Sequence, residues 1–219
     1  MKIAFLIFSL LFVSSLASFE AQNTSGFHHY WLVQSWPPVY CQQFTCYNKP
    51  TDFVLHGLWP VNSTGHTLKN SSCPPPDIDG MLKNLSFGDE MDKLWPTFRG
   101  KGRTVNKGFW KHEWDEHGSG QPYKEVDYFK SAIRLRKNVN LLETLERNGL
   151  SPNGGSYPIT EYVDAINFTY GFPILACYQG ALKEVTLCAD DQARYFISCN
   201  HRERGLSNCR KNIKFPPIV

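Results

Sequence analysis

The segment FWKHEWDEHG, residues 109–118, holds two imidazoles, three carboxylates and three aromatic rings within ten positions. It contains no proline and its one glycine comes last, so it predicts a helix that ends at that glycine. Positions four apart lie about 40° apart around a helix. Glu113 and His117 therefore share one face, and His112 and Glu116 share the neighbouring face. A carboxylate one turn from an imidazole orients the ring and raises its pKa, which suits a general acid or base.

Two other interpretations of this segment are a metal site and a solvated amphipathic helix. His112 and His117 lie about 140° apart around a helix, so binding of one ion by both is disfavoured. The spacing also differs from that of HExxH zinc helices. A charge-rich helix is commonly just a solvent-facing surface, and the segment alone does not decide against that.

A second segment, FVLHGLWP at residues 53–60, favours a catalytic role for the first segment over a solvent-facing surface. Its apolar start predicts a buried strand, which Gly57 and Pro60 would end. The strand would present His56 at its end, followed by the ring of Trp59. Taken alone, His56 is more readily interpreted as a core histidine.

Together the two segments resemble the active-site segments of the ribonuclease T2 family, in the same order and with a matching separation. Family-like features also extend from Trp36-Pro37-Pro38 to the C-terminal cysteines. The resemblance implies one α+β domain, with a central antiparallel sheet flanked by helices. It also implies an endoribonuclease that uses no metal and no cofactor.

The resemblance implies a role for each histidine. His117 would deprotonate the ribose 2′-hydroxyl, and His56 would protonate the leaving 5′-oxygen. Glu113 and His112 would support the phosphate, and Trp59 would stack on a base. The products would be 2′,3′-cyclic phosphates and then 3′-phosphates, and DNA would be spared because it lacks the 2′-hydroxyl. The other candidate substrate contacts are Phe109, Trp110 and Glu116.

Glu116 departs from the family pattern, in which this position is usually a lysine. An anion near the phosphate would weaken stabilisation of the transition state, where a single group is worth about 3 kcal/mol. We therefore expect Glu116→Lys to raise the cleavage rate modestly, by about tenfold. A catalytically weakened glycoprotein that acts by binding is the alternative function.

The N-terminus predicts export. Residues 1–21 have the basic start, short apolar run and small residues of a signal peptide, with cleavage between positions 17 and 21. Residues 22–219 would form the ribonuclease domain, secreted to the extracellular space and without a membrane span. Five Asn-x-Ser/Thr sites predict glycosylation: Asn23, Asn62, Asn70, Asn84 and Asn167.

The formal net charge of +3 suits an RNA substrate but decides little. The charge, the glycosylation sites and the C-terminal cysteines are similar to those of the pistil S-ribonucleases of self-incompatibility. An S-type role would imply an S-locus F-box protein as a partner. S-like ribonucleases, which serve RNA turnover, phosphate recycling or defence, share most of these features. We expect a monomer.

Seven cysteines in an exported chain predict disulfides and leave one cysteine over. Cys41 and Cys46 would close a short loop. The family resemblance implies two further bridges, Cys177–Cys209 and Cys188–Cys199. It leaves Cys73 as a free thiol, because Gly120 occupies the position, three residues after His117, where the family usually has the partner cysteine. Gly120→Cys would then restore that bridge.

The remaining pattern places helices between early and late strands, which also favours an α+β fold. Strands are predicted over residues 27–33, 174–179, 181–187 and 193–198. Helices are predicted within residues 81–95, over 124–138, and after Asn140 and Thr160. Residues 61–79 and the glycine-containing stretch 100–108 are predicted to be loops.

Overall fold

A computed structural model describes residues 26–218, so the expected signal peptide and Asn23 lie outside the described residues. Within this part, seven strands form one sheet in the order β2-β1-β5-β7-β3, with β4 and β6 also paired to β5. The strands are β1 (His29–Ser35), β2 (Val54–Val61), β3 (Ser156–Pro158), β4 (Ile174–Tyr178), β5 (Ala181–Ala189), β6 (Phe196–Ile197) and β7 (Asn212–Lys214). All pairs are antiparallel except β5 with β7, so the sheet is mixed.

The helices flank this sheet, which confirms the α+β prediction. They are α1 (Pro37–Gln43), α2 (Ile78–Met81), α3 (Leu85–Leu94), α4 (Arg103–Glu116), α5 (Glu125–Lys137), α6 (Leu141–Arg147), α7 (Ile159–Tyr170) and α8 (His201–Arg204). A single 3-10 turn, Gly118–Gly120, follows α4. No helix within residues 26–218 combines the length and the apolar character that crossing a membrane would require.

Buried aromatic side chains join the helices to strand β2, which carries His56. The indole of Trp110 in α4 donates to the carbonyl of Trp95, 2.8 Å away. The indole of Trp95 in turn donates to the carbonyl of His56 in β2, at 2.6 Å. Tyr128 and Phe129 of α5 pack against the Trp95 ring. These contacts fix α4 against β2, so the two segments singled out in the sequence meet.

Several predicted element boundaries are wrong, among them those of β2 and α4. Strand β2 continues through Gly57 and Pro60 to Val61. It tolerates the proline because it lies at an end of the sheet. Residues 103–108 belong to α4 rather than to a loop; Gly102, with φ of 87°, caps the helix start. The prolines after Trp36 end β1 as expected, but Pro37 also begins a helix that we did not predict.

The disulfides match the expected pairs. Cys41–Cys46, Cys177–Cys209 and Cys188–Cys199 are bonded, and Cys73 is a free, half-buried thiol. Two of the bridges therefore tie the C-terminal strands, and none joins α4 to the loop that precedes α2.

The structure contradicts the expectation that Gly120→Cys would restore a bridge. Gly120 is buried, and a Cβ atom added there would lie 2.4 Å from the carbonyl oxygen of Leu68. Because backbone cannot yield as a flexible side chain can, we expect Gly120→Cys to lower the free energy of unfolding by about 1–3 kcal/mol. Denaturant unfolding would measure the loss, and thiol titration of the unreduced variant should count two free thiols.

Gly108→Cys is the matched control, because a Cβ atom at this helical glycine meets nothing within 4 Å. It should unfold close to the parent. A disulfide between Cys73 and the thiol introduced by Gly120→Cys, together with a raised unfolding midpoint, would contradict the prediction.

Candidate active site

A β-bulge in β2 presents His56. Val33 of β1 pairs with Gly57 and the next residue, Gln34, pairs with Leu55, so His56 is the extra residue between them. Bulges turn a side chain away from the regular alternation of a strand and are common beside active sites.

Both nitrogens of His56 face carboxylates. The Nδ1 atom lies 2.8 Å from Oε1 of Glu184 in β5, and Nε2 lies 3.9 Å from Oε1 of Glu113. Glu184 also accepts a hydrogen bond from the Ser35 hydroxyl at 2.9 Å. Burial favours a neutral imidazole, but the hydrogen bond and charge of Glu184, and the charge of Glu113, raise the pKa of His56 above its ordinary value. Burial likewise opposes ionisation of Glu184, and its contacts with His56 outweigh this and lower the pKa of Glu184.

Glu113 of α4 is buried and accepts a hydrogen bond from the Trp59 indole at 3.0 Å. Burial raises the pKa of Glu113, although the charge of His56 and the indole bond oppose the shift. Gly57 makes this arrangement possible, since a Cβ atom there would lie 2.1 Å from a Glu113 oxygen and 2.3 Å from the indole nitrogen.

His117 lies just past the end of α4, with φ of −133° and ψ of −63°, so its side chain leaves the helix face on which we had placed it. Its ring stacks on Trp59 with centroids 4.5 Å apart, and Trp59 also contacts His56 edge-on at 5.2 Å. Burial and the positive charge of His56 lower the pKa of His117 to about 4. The two histidines therefore flank one tryptophan and carry opposite pKa shifts.

Glu116 is ion-paired rather than isolated. Its Oε1 atom lies 2.7 Å from Nζ of Lys69, and this contact lowers the pKa of Glu116. The loop that carries Lys69 is held against the end of α4, where the Asn70 amide donates to the Ser119 hydroxyl at 3.2 Å. The charge of Lys69 contributes to the lowered pKa of His117. A cation therefore lies beside residue 116 after all, and Lys69 of the loop supplies it.

A cleft of about 150 Å³ opens beside His56. Its lining includes Tyr40, His56, Arg99, Phe109, His112 and Glu113. Phe109 also stacks on His56, with centroids 6.3 Å apart. Trp110 was wrongly predicted to contact substrate: it is fully buried in the core, because its side chain points from α4 toward Trp95.

Sequence reasoning missed Ser35, Lys69 and Glu184. Glu184 carried a signal, because a carboxylate inside the apolar strand pattern of residues 181–187 needs a partner when buried. No sequence signal marked Lys69, since it lies in a loop with no periodic pattern.

Among the described residues, His29, Cys188 and Glu203 form the one group of potential metal ligands. Cys188 is bonded to Cys199 and so offers no thiolate. His29 instead pairs with Glu203 at 2.7 Å, and the Trp31 indole donates to the same carboxylate. The cluster is therefore a structural network.

Comparison with known proteins places this geometry in context. The model of the ribonuclease T2 family matches residues 27–199. Ribonuclease 1 of Arabidopsis thaliana is 34% identical over 96% of this chain and 95% of its own length. The crystal structure of RNase NT in complex with 5′-AMP has a TM-score of 0.74 and 31% identity, covering 87% of this chain and 98% of that one. The self-incompatibility-associated SF11-RNase of Nicotiana alata also has a TM-score of 0.74, with 28% identity over 87% of this chain and 99% of its own.

Proposed function

This chain belongs to the ribonuclease T2 family, and from that membership we propose that His117 and His56 cleave RNA as general base and general acid. The observation that carries the proposal is the opposite pKa shift of two imidazoles packed on one indole. The lowered pKa keeps His117 neutral and able to accept a proton. The raised pKa keeps His56 protonated and able to give one.

In the first step His117 takes the proton of the ribose 2′-hydroxyl as its oxygen attacks phosphorus. His56 gives its proton to the leaving 5′-oxygen, and a 2′,3′-cyclic phosphate forms. In the second step the histidines exchange roles, water attacks, and a 3′-phosphate results. His112, exposed in the lining of the cleft, would support the phosphate, and Lys69, paired with Glu116 at the end of α4, would add positive charge.

Glu113 and Trp59 position the two histidines in this scheme. The buried carboxylate of Glu113 holds the indole and adds negative charge near His56 Nε2. One face of Trp59 is covered by His117, and stacking of Trp59 on a base remains a prediction.

The direct test is incubation of the purified protein with RNA, with and without EDTA, followed by analysis of the fragments. We expect cleavage in both cases and transient 2′,3′-cyclic phosphate ends. RNA in which the attacking 2′-hydroxyl is replaced by hydrogen should remain intact. Loss of cleavage in EDTA, or cleavage of the deoxy substrate, would contradict the mechanism.

The pKa shifts predict an acid-shifted profile of kcat/KM against pH. Activity should rise as His117 loses its proton near pH 4. It should fall only when His56 loses its own, above the ordinary histidine value of about 6.5. Initial rates on a dinucleoside phosphate between pH 3 and pH 9 would define both limbs. Activity that keeps rising up to pH 9, with no alkaline fall, would contradict the assignment.

We place this activity outside the cell, as a monomeric, glycosylated enzyme. The signal-peptide-like N-terminus, the disulfides and the Asn-x-Ser/Thr sites support this setting. Asn84 is exposed, whereas Asn62, Asn70 and Asn167 are half-buried.

The biological role we propose is that of a pistil S-ribonuclease, with an S-locus F-box protein as partner. The likeness to SF11-RNase supports it. The second candidate is an S-like role in RNA turnover, phosphate recycling or defence, because S-like ribonucleases share most of the sequence features that suggest the S-type. Expression confined to the pistil, together with many divergent alleles, would identify the S-type role. Expression in other tissues with one invariant allele would identify the second. A glycoprotein that acts only by binding would leave RNA uncleaved in the assay above.

A further inference from the structure

Glu184 contacts the catalytic centre from a part of the chain that neither active-site segment includes. It lies in β5, directly across from Ser35 of β1, and its side chain is only 12% exposed. Its Oε1 atom accepts the Ser35 hydroxyl at 2.9 Å and lies 2.8 Å from His56 Nδ1. A buried carboxylate of this kind is held in one orientation by its cross-strand neighbour.

This contact determines which nitrogen of His56 is free to exchange a proton with the substrate. An ionised carboxylate only accepts hydrogen bonds, so Nδ1 must carry the proton that joins it to Glu184. The other nitrogen, Nε2, remains on the side of Glu113 and exchanges protons with the substrate. The Trp95 indole holds the backbone carbonyl of the same residue. His56 is therefore anchored at its backbone and at one ring nitrogen.

We propose that Glu184 is a positioning residue for the general acid, which holds His56 through Nδ1 so that Nε2 delivers the proton to the leaving oxygen. The inference rests on the proposed ribonuclease mechanism and adds a carboxylate to it. Glu184 acts through His56 and contacts no reacting atom.

Other charged groups also act on this pair. Those that face His56 or Glu184 are Glu113 and His117 at the end of α4, Lys183 in β5, and Tyr40 of α1. Glu184 is the one that forms a hydrogen bond to the ring. Removing its charge should therefore lower the pKa of His56 while Glu113 continues to favour the protonated ring.

The test uses Glu184→Gln and two substrates. A dinucleoside phosphate has a poor leaving group that needs an acid, whereas a nucleoside 3′-(4-nitrophenyl phosphate) has a good one that does not. On the dinucleoside phosphate we expect kcat to fall about 10- to 100-fold with little change in KM. On the aryl ester we expect a change of less than about threefold, because the acid is not required. The alkaline limb of the pH profile should move to lower pH.

Glu146→Gln is the matched control, since it removes one exposed carboxylate in α6 and should leave both rates unchanged. Ser35→Ala frees the carboxylate on one side and should give a smaller loss on the dinucleoside phosphate alone. If Glu184→Gln fails to fold, Ser35→Ala replaces it as the test variant. NMR of the parent should then show a downfield Nδ1 proton for His56, as the hydrogen bond to Glu184 requires.

Equal losses on the two substrates would show that Glu184 serves only the fold, and unchanged rates on both would also overturn the proposal. A parent protein that cleaves neither substrate would overturn the proposed function itself, which separates the two failures.

Discussion

Replacing His56 or His117 with alanine should lower the rate of RNA cleavage by about 10²- to 10⁴-fold, because each removes a proton transfer from the transition state. Both imidazoles are only half-buried, so we expect both variants to fold, and near-UV circular dichroism would verify this. Initial rates on a dinucleoside phosphate give the size of each loss.

The two losses should differ in kind. A substrate with a 4-nitrophenolate leaving group should rescue His56→Ala, which lacks the acid, but not His117→Ala, which lacks the base. His201→Ala is the control, since it removes an exposed histidine of α8, outside the site. Parent-like cleavage by either active-site variant would refute the mechanism, and rescue of the opposite variant would reverse the two roles.

Removing Lys69 should lower activity about as much as Glu184→Gln does on a dinucleoside phosphate. Lys69→Met is expected to reduce kcat about 10- to 100-fold, because the phosphate loses a nearby cation. The side chains of Lys69 and Glu116 are 46% and 43% exposed, so solvent screening keeps the effect below that of a buried donor. Rates should be measured at low and at high salt, and the difference between parent and variant should shrink as salt rises.

The double variant Lys69→Met with Glu116→Lys distinguishes a role of the cation at the phosphate from a role of the ion pair in holding the loop. It keeps one cation at this place but removes the ion pair. If the cation serves the phosphate, the double variant should recover most of the lost rate. If the pair only holds the loop, it should stay as impaired as Lys69→Met.

Lys111→Met is the matched control, because Lys111 pairs with Asp115 on the same helix and is also exposed. A rate loss in Lys69→Met no larger than in this control would remove Lys69 from the mechanism. For Glu116→Lys alone we now expect a gain smaller than about tenfold, since Lys69 already supplies a cation.

The sequence predicted what depends on local pattern. The segments around His56 and His117 were recognisable because residue type and spacing were enough, and α5 and α6 followed from apolar periodicity and the Asn140 cap. The central strand β5 was the least clear of the late strands, because Lys183 and Glu184 interrupt its apolar run. That interruption is the part of β5 that meets His56.

What could not be predicted depends on pairing between distant parts of the chain. The bulge at His56 arises from the register between β1 and β2, and no local signal marks it. The Glu184–His56 contact joins residues 128 positions apart. Gly57 was taken as a strand end, whereas its missing side chain makes room for the Glu113–Trp59 hydrogen bond. The prediction for Trp110 was wrong because an aromatic side chain next to a candidate site residue on a helix can face either the core or the cleft.

The loop that carries Lys69 reaches α4 without a covalent link. Its attachments include the Lys69–Glu116 pair, the bond from the Asn70 amide to Ser119, the bond from the Leu68 amide to the Pro60 carbonyl, and the bond from the Trp114 indole to the Pro74 carbonyl. A loop held to a helix by separate polar contacts, with no disulfide between them, opens at a smaller free-energy cost than the whole domain. Mild heating would therefore detach the loop while the disulfide-linked strands stay folded. The enzyme would lose activity reversibly before it melts, so its thermal inactivation and its unfolding would follow separate curves.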